Sequence, residues 1–226
     1  MNQHISAASR EHTSRGRTSQ RNASVIFFIA TLFILALLNN VHAQRVVNPL
    51  AEPNAFIEAV GNNALDAVRQ DPAAKRGDTR RINELIDQYL LPYVNFEKTT
   101  RLAAAQGWRT ASSQQREQLV EAFRGTLIRT YAGALTDVDK IAALNLLPFR
   151  GDPKAKDVVV RSYFSQRNGP QVNVDYRMES TPEGWKIYDI NVEGIWLIQN
   201  YRNQFAQQIR ENGVDGLINA LNQKNQ

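Results

Sequence analysis

Val158-Val-Val-Arg-Ser-Tyr-Phe-Ser165, then Asn168-Gly169, then Val172-Asn-Val-Asp-Tyr-Arg-Met-Glu179 is the stretch that decides the fold. Val158, Val160, Ser162 and Phe164 alternate with Val159, Arg161, Tyr163 and Ser165. Val172, Val174, Tyr176 and Met178 alternate with Asn173, Asp175, Arg177 and Glu179. A period of two marks a half-buried strand, and Asn-Gly between two such runs marks a hairpin. Glu183-Gly184 supplies a further turn, and Trp185 to Val192 one more strand carrying Tyr188 and Ile190. Three or four consecutive strands with short turns make an antiparallel meander.

The period changes on both sides. Upstream, Pro53 opens a helix with Phe56, Ile57, Val60, Ala64, Ala67 and Val68, ended by Asp71-Pro72. Asp78 or Thr79 caps a second, which Pro92 stops. A third runs from about Asn95 to Gln106, with Gly107 closing it and Trp108 in the following loop. Ser112 and Gln115 form a capping box. They start a long amphipathic helix with Leu119, Val120, Phe123, Leu127, Tyr131 and Leu135 on one stripe. Downstream, Gly194 ends the strand period, a helix is expected over about 195–209 with Trp196 near its start, and Asn212-Gly213 separates it from a short helix carrying Val214, Leu217, Ile218 and Leu221. The tail 222–226 reads as disordered. Segregated helices and strands make an α+β domain, with helices packed on one face of a small twisted antiparallel sheet.

The first 43 residues read differently. Arg10, Arg15, Arg17 and Arg21 precede an apolar run of 14 residues, Val25 to Leu38, and Val41-His42-Ala43 follows. A basic flank, a short apolar core and small residues before the cut describe a secretory signal; the run is shorter than a membrane span needs. The expected organisation is a signal peptide at 1–43 and one domain at 44–226, located in the periplasm. With the signal goes most of the basic excess. Of 27 Lys+Arg and 22 Asp+Glu, 23 and 21 remain, which does not point to nucleic acid.

All three histidines, His4, His12 and His42, fall in the leader, and the chain has no cysteine. Ser-His-Asp triads, thiolate chemistry and His- or Cys-based metal sites are therefore excluded from the mature domain, as are disulfides and a lipid-attachment cysteine. Carboxylate catalysis is the surviving enzymatic reading. Asp66, Asp87, Glu97, Asp189 and Glu193 are its candidates, although Glu193, just before a helix, fits better as a partner of the positive helix end. Arg80, Arg81, Lys98, Arg101 and Arg109 form a solvated basic face or a docking surface. The apolar faces of the strands and of the long helix make either a filled core or the walls of a cavity, and an apolar lining alone does not choose between them. Carrier, carboxylate enzyme and cargo-free adaptor remain the three readings.

Several runs resemble one family. Ile86-Asp-Gln-Tyr-Leu-Leu-Pro-Tyr-Val-Asn-Phe96, Gln115-Arg-Glu-Gln-Leu119 leading to Phe123-Arg124, Leu127 and Tyr131, Gly184-Trp-Lys-Ile-Tyr188-Asp189 with Val192-Glu-Gly194, Tyr201 to Phe205, and Gly213-Val-Asp-Gly-Leu217 are similar, in order, to the MlaC/Ttg2D family of periplasmic phospholipid-binding proteins. The resemblance runs from about residue 54 to 221. It implies a monomeric carrier, not an enzyme, with no cofactor and a phospholipid as cargo. It also implies exchange with an outer-membrane lipoprotein complex and an inner-membrane ring-forming lipid-binding protein of an ABC transporter. Some relatives of the family are associated with hopanoid pathways, so a different lipid is the alternative cargo. The acyl tails would lie in an apolar cavity between sheet and helices. The residues expected to line it are Phe123, Leu127, Tyr131, Val158, Val160, Phe164, Val172, Val174, Tyr176, Met178, Tyr188, Ile190 and Trp196.

Overall fold

A computed structural model describes residues 46–223, without the side chains of 132–136. The expected signal and cut site, the start of the mature domain at 44–45 and the tail 224–226 lie outside the described residues, as does the side chain of Leu135. The element order is α1 (Pro53–Gln70), α2 (Pro72–Lys75), α3 (Thr79–Tyr89), a 3-10 turn (Leu91–Tyr93), α4 (Phe96–Ala104), α5 (Gln106–Thr110) and α6 (Ser113–Thr136). A second 3-10 turn (Val138–Lys140) leads into β1 (Ile141–Leu146), β2 (Asp157–Gln166), β3 (Val172–Thr181), β4 (Gly184–Val192), β5 (Ile195–Trp196) and α7 (Leu197–Gln223). The strands form one antiparallel sheet in the order β1-β2-β3-β4-β5. The α+β architecture is the expected one, with a strand added at each end of the meander.

Local chemistry sets most boundaries. Asp71 accepts from the N–H groups of Ala73 and Ala74 and starts α2. Asp78 accepts from Arg81 N and starts α3, and Asn95 does the same for α4 through Lys98 N. The capping box forms as expected. Gln115 N donates to Ser112 Oγ at 3.2 Å, and Ser112 N donates to Gln115 Oε1 at 3.0 Å, satisfying two of the donors that a helix N-terminus leaves free.

Four boundaries differ from the sequence expectation. The third helix breaks at Ala105, at φ 49°, rather than at Gly107, which lies inside α5. Gly107 is needed for proximity: a Cβ there would lie 2.4 Å from Ile209 Cδ1. Trp108 is therefore helical and buried, not a loop residue. Ile195 and Trp196 form a short strand before the last helix instead of opening it, because Glu193 (φ 49°) and Gly194 (φ 86°) reverse the chain in a tight hairpin. Asn222 and Gln223, expected in the tail, are helical; α7 runs on past a break at Gly213, at φ 71°.

The register settles which side chains share a face. Phe164 faces Val172, Ser162 faces Val174, Val160 faces Tyr176 and Val158 faces Met178. On β4 the pairing slips. Tyr176 faces Ile190 and Arg177 faces Asp189, but Met178 faces Ile187, leaving Tyr188 in a bulge. A bulge moves the following residues to the opposite face. Hence Trp185 and Ile187 share the inner face with Ile190 and Val192, although the residue numbers change parity between them.

Buried apolar side chains fall into three groups rather than one. Phe56, Ile57 and Val60 of α1 pack on Val158, Val160, Val174, Tyr176, Met178, Trp185 and Ile187 of the sheet. Leu65, Val68, Ile82, Leu85, Ile128 and Leu144 join α1, α3, α6 and β1. Phe123, Leu127, Trp108, Tyr201, Phe205 and Leu217 form a helical group of α4 to α7. The edge strand β1 is blunted by side chains of α1: Arg69 Nη2 donates to Ile141 O and Asn54 Nδ2 to Leu147 O.

Candidate functional site

The inner face of the sheet has a closed end and an open end. At the closed end Val160 and Met178 have no solvent exposure, and Phe56 of α1, also fully buried, covers them. At the other end Phe164, Val172 and Ile190 are half-buried, and toward the β5 edge Val192 is 40% and Ile195 64% exposed. Val174, Val192 and Ile195 are successive partners across β3, β4 and β5. An apolar track therefore leads from the interior out to the β4–β5 turn.

The residues expected to line one space are distributed over three environments. Val158, Val160, Val174, Tyr176 and Met178 belong to the packed layer under α1. Phe164, Val172 and Ile190 border that layer with part of their surface accessible. Phe123 and Leu127 face other helices, with the Phe123 ring 4.8 Å from both Tyr201 and Phe205. Tyr131, one turn further along α6, is 44% exposed, and partial burial raises its phenol pKa. The expected lining set is therefore spread over more than one packing group.

Tyr188 and Trp196 sit elsewhere. The Tyr188 ring lies 3.7 Å from Lys98 Nζ, and Lys98 bridges Glu179 at 2.7 Å and Asp157 at 3.2 Å. Burial and the nearby Asp157 carboxylate push the Tyr188 phenol up to about 12. Trp196 carries the Arg177 guanidinium at 3.8 Å over its ring. Both belong to the outer, polar side of the sheet. Alternation counted from Ile190 backwards places Tyr188 inside; the bulge reverses that. Val192 and Ile195 were legible as continuations of the apolar period on either side of the Glu193-Gly194 turn, and Trp185 and Ile187 were hidden by the register slip.

Asp189 is the most heavily engaged polar group. Its side chain has no exposure. Oδ1 accepts from Ile190 N and from Ile198 N in the first turn of α7, each at 3.0 Å, and Oδ2 accepts from Arg177 Nη1 at 2.9 Å. Burial raises its pKa; the Ile198 N–H and the Arg177 charge act the other way. Asp189, not Glu193, is thus the carboxylate that serves the helix end. Glu193 folds back so that Oε1 accepts from Asn173 N. Asp87 pairs with Arg124 across α3 and α6, and Asp66 with Arg69. In the basic face, Arg81 is held by Asp71 and Glu84. These carboxylates are occupied by structural contacts. Tyr176, pushed up to about 12 by burial, is held on the inner face beside Ser162, whose hydroxyl donates to Val174 O.

Among the described residues no helix is long and apolar enough to cross a membrane. A family model described as MlaC protein matches residues 58–223. The Haemophilus influenzae intermembrane phospholipid transport system binding protein MlaC is 19% identical over 206 residues, 88% of this chain and 91% of that protein. The Pseudomonas putida toluene tolerance protein ttg2D is 21% identical over 164 residues, 72% of this chain and 75% of that one. Among solved structures, a phospholipid-binding protein from Ralstonia solanacearum, determined in complex with a phospholipid, is 39% identical with a TM-score of 0.74, covering 77% of this chain and 97% of that one. With the family model spanning residues 58–223, helices and sheet alike, this chain belongs to the MlaC family.

Proposed function

We propose that the protein is a periplasmic phospholipid carrier of an intermembrane lipid transport system. The observation that carries this reading is the half-accessible apolar surface at Phe164, Val172 and Ile190, at the open end of the inner face beside the packed layer under α1. Acyl tails laid against it would complete the interior. Family membership and the relative solved with a phospholipid support the same assignment.

The energetics suit a carrier. Each CH₂ withdrawn from water contributes ~0.8 kcal/mol, so an acyl chain contributes on the order of ten, and a lipid does not cross an aqueous compartment unaided. A carrier has to supply an enclosed apolar space; no reacting group or cofactor is required. We further assign it a monomeric state. Its exchange partners would be an outer-membrane lipoprotein complex and an inner-membrane ring-forming lipid-binding protein of an ABC transporter.

The test is uptake. Delipidated protein is incubated with vesicles containing a fluorescent phospholipid and re-isolated by size exclusion. The fluorophore should elute with the protein, and uptake should fall severalfold in Val172→Ser with Ile190→Ser. No uptake by the unaltered protein would overturn the reading.

A further inference from the structure

One stretch of sheet edge is left open. β1 pairs with β2 only as far as Leu146 opposite Ser162, whereas β2 extends back to Asp157. Leu147 N donates to Arg161 O at 2.9 Å, and Pro148, which has no N–H, ends the pairing. Alternate residues of a strand direct their N–H and C=O groups to the same side, so those of Val159 point to where β1 would have continued. Among the described residues the loop 148–156 makes no backbone bond to Val159. Along β1 itself the edge is capped by Arg69 and Asn54. In place of a strand there is a cleft of about 410 Å³ between the loop residues Leu147 to Gly151 and Val159 and Arg161 of β2. Leu147 and Val159 are 41% and 39% exposed in it. Arg150 and Arg161, both exposed, also line it, and among the described residues neither is ion-paired. The neighbouring carboxylates are engaged or set apart. Asp152 accepts from Lys154 N, Asp157 bridges Lys98, and Asp175 faces Arg161 across β3 without forming an ion pair.

We propose that this open edge is the docking site for an extended acidic segment of a partner protein. The segment continues the sheet along Val159, its apolar side chain enters the cleft against Leu147 and Val159, and its carboxylates meet Arg150 and Arg161. Strand addition of this kind takes affinity from main-chain hydrogen bonds and specificity from the side-chain pockets beside them. Charge selects the occupant. Exposed cations at a sheet edge repel a second copy of the same edge and attract carboxylates, which a guanidinium holds through paired hydrogen bonds. Blunting an edge needs the cations alone. The exposed Leu147 and Val159 beside them add an apolar anchor point. Val159 and Arg161 alternate with the inward-facing Val158 and Val160, so a docked partner leaves the inner face clear. The proposal takes its purpose from the carrier reading, which assigns handover to protein complexes, but its test does not depend on that reading.

A display library of random heptapeptides, selected on the delipidated protein and counter-selected on Arg150→Glu with Arg161→Glu, supplies the probe. Peptides in which acidic residues alternate with Val, Ile or Leu should be enriched. A synthetic peptide of the enriched sequence should shift the amide resonances of Leu147, Arg150, Val159 and Arg161, and slow hydrogen exchange at Val159 N–H severalfold. By fluorescence anisotropy its binding should weaken at least tenfold in the double variant, and at least tenfold when lysine replaces its acidic residues. Methylation of alternate peptide nitrogens, which removes the donors for edge pairing, should weaken it at least fivefold. The double variant should melt at the parent temperature, because both side chains are exposed, and should take up lipid as the parent does. No enrichment, enriched peptides without acidic residues, resonance shifts confined to other elements, or equal binding by the double variant would each overturn the proposal. So would self-association, or binding to phosphatidylglycerol vesicles, that replaces peptide binding and is lost in the double variant; these would give the edge to a second copy or to an anionic lipid surface. Peptide binding by a protein that takes up no lipid would keep the docking edge and lose the carrier reading. Uptake without peptide binding would do the reverse.

Discussion

Replacing Asp189 by alanine should destabilise the domain by about 2–3 kcal/mol. The carboxylate accepts from two backbone N–H groups and from Arg177, and has no solvent exposure of its own. Losing the acceptor at the start of α7 leaves the buried Ile198 N–H unpaired, which costs ~1–3 kcal/mol, and the bond from Ile190 N is lost with it. Against this, Arg177 is 39% exposed and can turn to water, so the broken ion pair adds little. Removing a buried charge also recovers part of its desolvation cost. Asp189→Asn retains an acceptor for Ile198 and gives up the contact with Arg177 but also the desolvation cost of the buried charge, so a change under about 1 kcal/mol is expected. Urea titration at pH 7 reads both values, with an unchanged slope as the check that the unfolded state is unaffected. For a domain of roughly this size the alanine variant should melt about 4–12 °C lower. A change under about 0.5 kcal/mol for alanine, or an asparagine variant less stable than the alanine one, would refute the assignment of Asp189 as the anchor of α7. The pH dependence has a definite sign. The folded-state pKa is raised, so the native state holds this proton more tightly than the unfolded chain. The penalty for ionising Asp189 is absent below the unfolded value and complete above the folded one. Stability relative to Asp189→Asn should therefore decline as pH rises from the ordinary carboxylate value through the raised one.

Other substitutions separate core from lining. Met178→Ala, at a position with no exposure, should cost about 2–4 kcal/mol in urea unfolding, whereas Val172→Ser, at a half-buried position, should cost about 1 kcal/mol or less yet reduce lipid uptake. Gly184 has φ 109°, and a Cβ there would lie 2.4 Å from Pro49 O, which also accepts from Trp185 N at 2.8 Å. Gly184→Ala should accordingly cost ~2 kcal/mol or more and expose the segment around Pro49 to proteolysis. Alkaline titration followed at 295 nm should show Tyr176 and Tyr188 ionising late, since both phenols are pushed up to about 12; if all tyrosines titrated together near their ordinary value in the folded protein, the burial assigned to this pair would be wrong.

Particular residues show how far the sequence could be read. The two long alternating runs paired in the register that their apolar faces require, and the Ser112–Gln115 box and the Asp78 cap opened their helices where local hydrogen bonding allowed. These features depend on neighbours within a few positions. What stayed hidden depends on distant contacts. The slip at Tyr188 is a property of the β3–β4 pair, and it turned a residue read as inward toward Lys98. Gly107 sits in a helix because Ile209, about a hundred residues later, presses against it. Phe123 and Leu127 have the helical spacing of core residues, but spacing does not say whether the layer they meet is a sheet or other helices; here it is Tyr201 and Phe205. The expected lining set therefore mixes inward sheet residues with Tyr188 and Trp196, which lie on the other side of the sheet, and with helical residues that face Tyr201 and Phe205, and it does not distinguish packed residues from accessible ones.

The central claim, that a phospholipid covers the accessible apolar surface at Phe164, Val172 and Ile190, is tested most directly by quantitative mass spectrometry of the organic extract from protein purified from a periplasmic fraction without detergent. The account predicts diacyl phospholipid in a fixed ratio to protein across independent preparations, and a lower ratio in Val172→Ser with Ile190→Ser. Folded protein that yields no phospholipid above the level of an unrelated periplasmic control would contradict it.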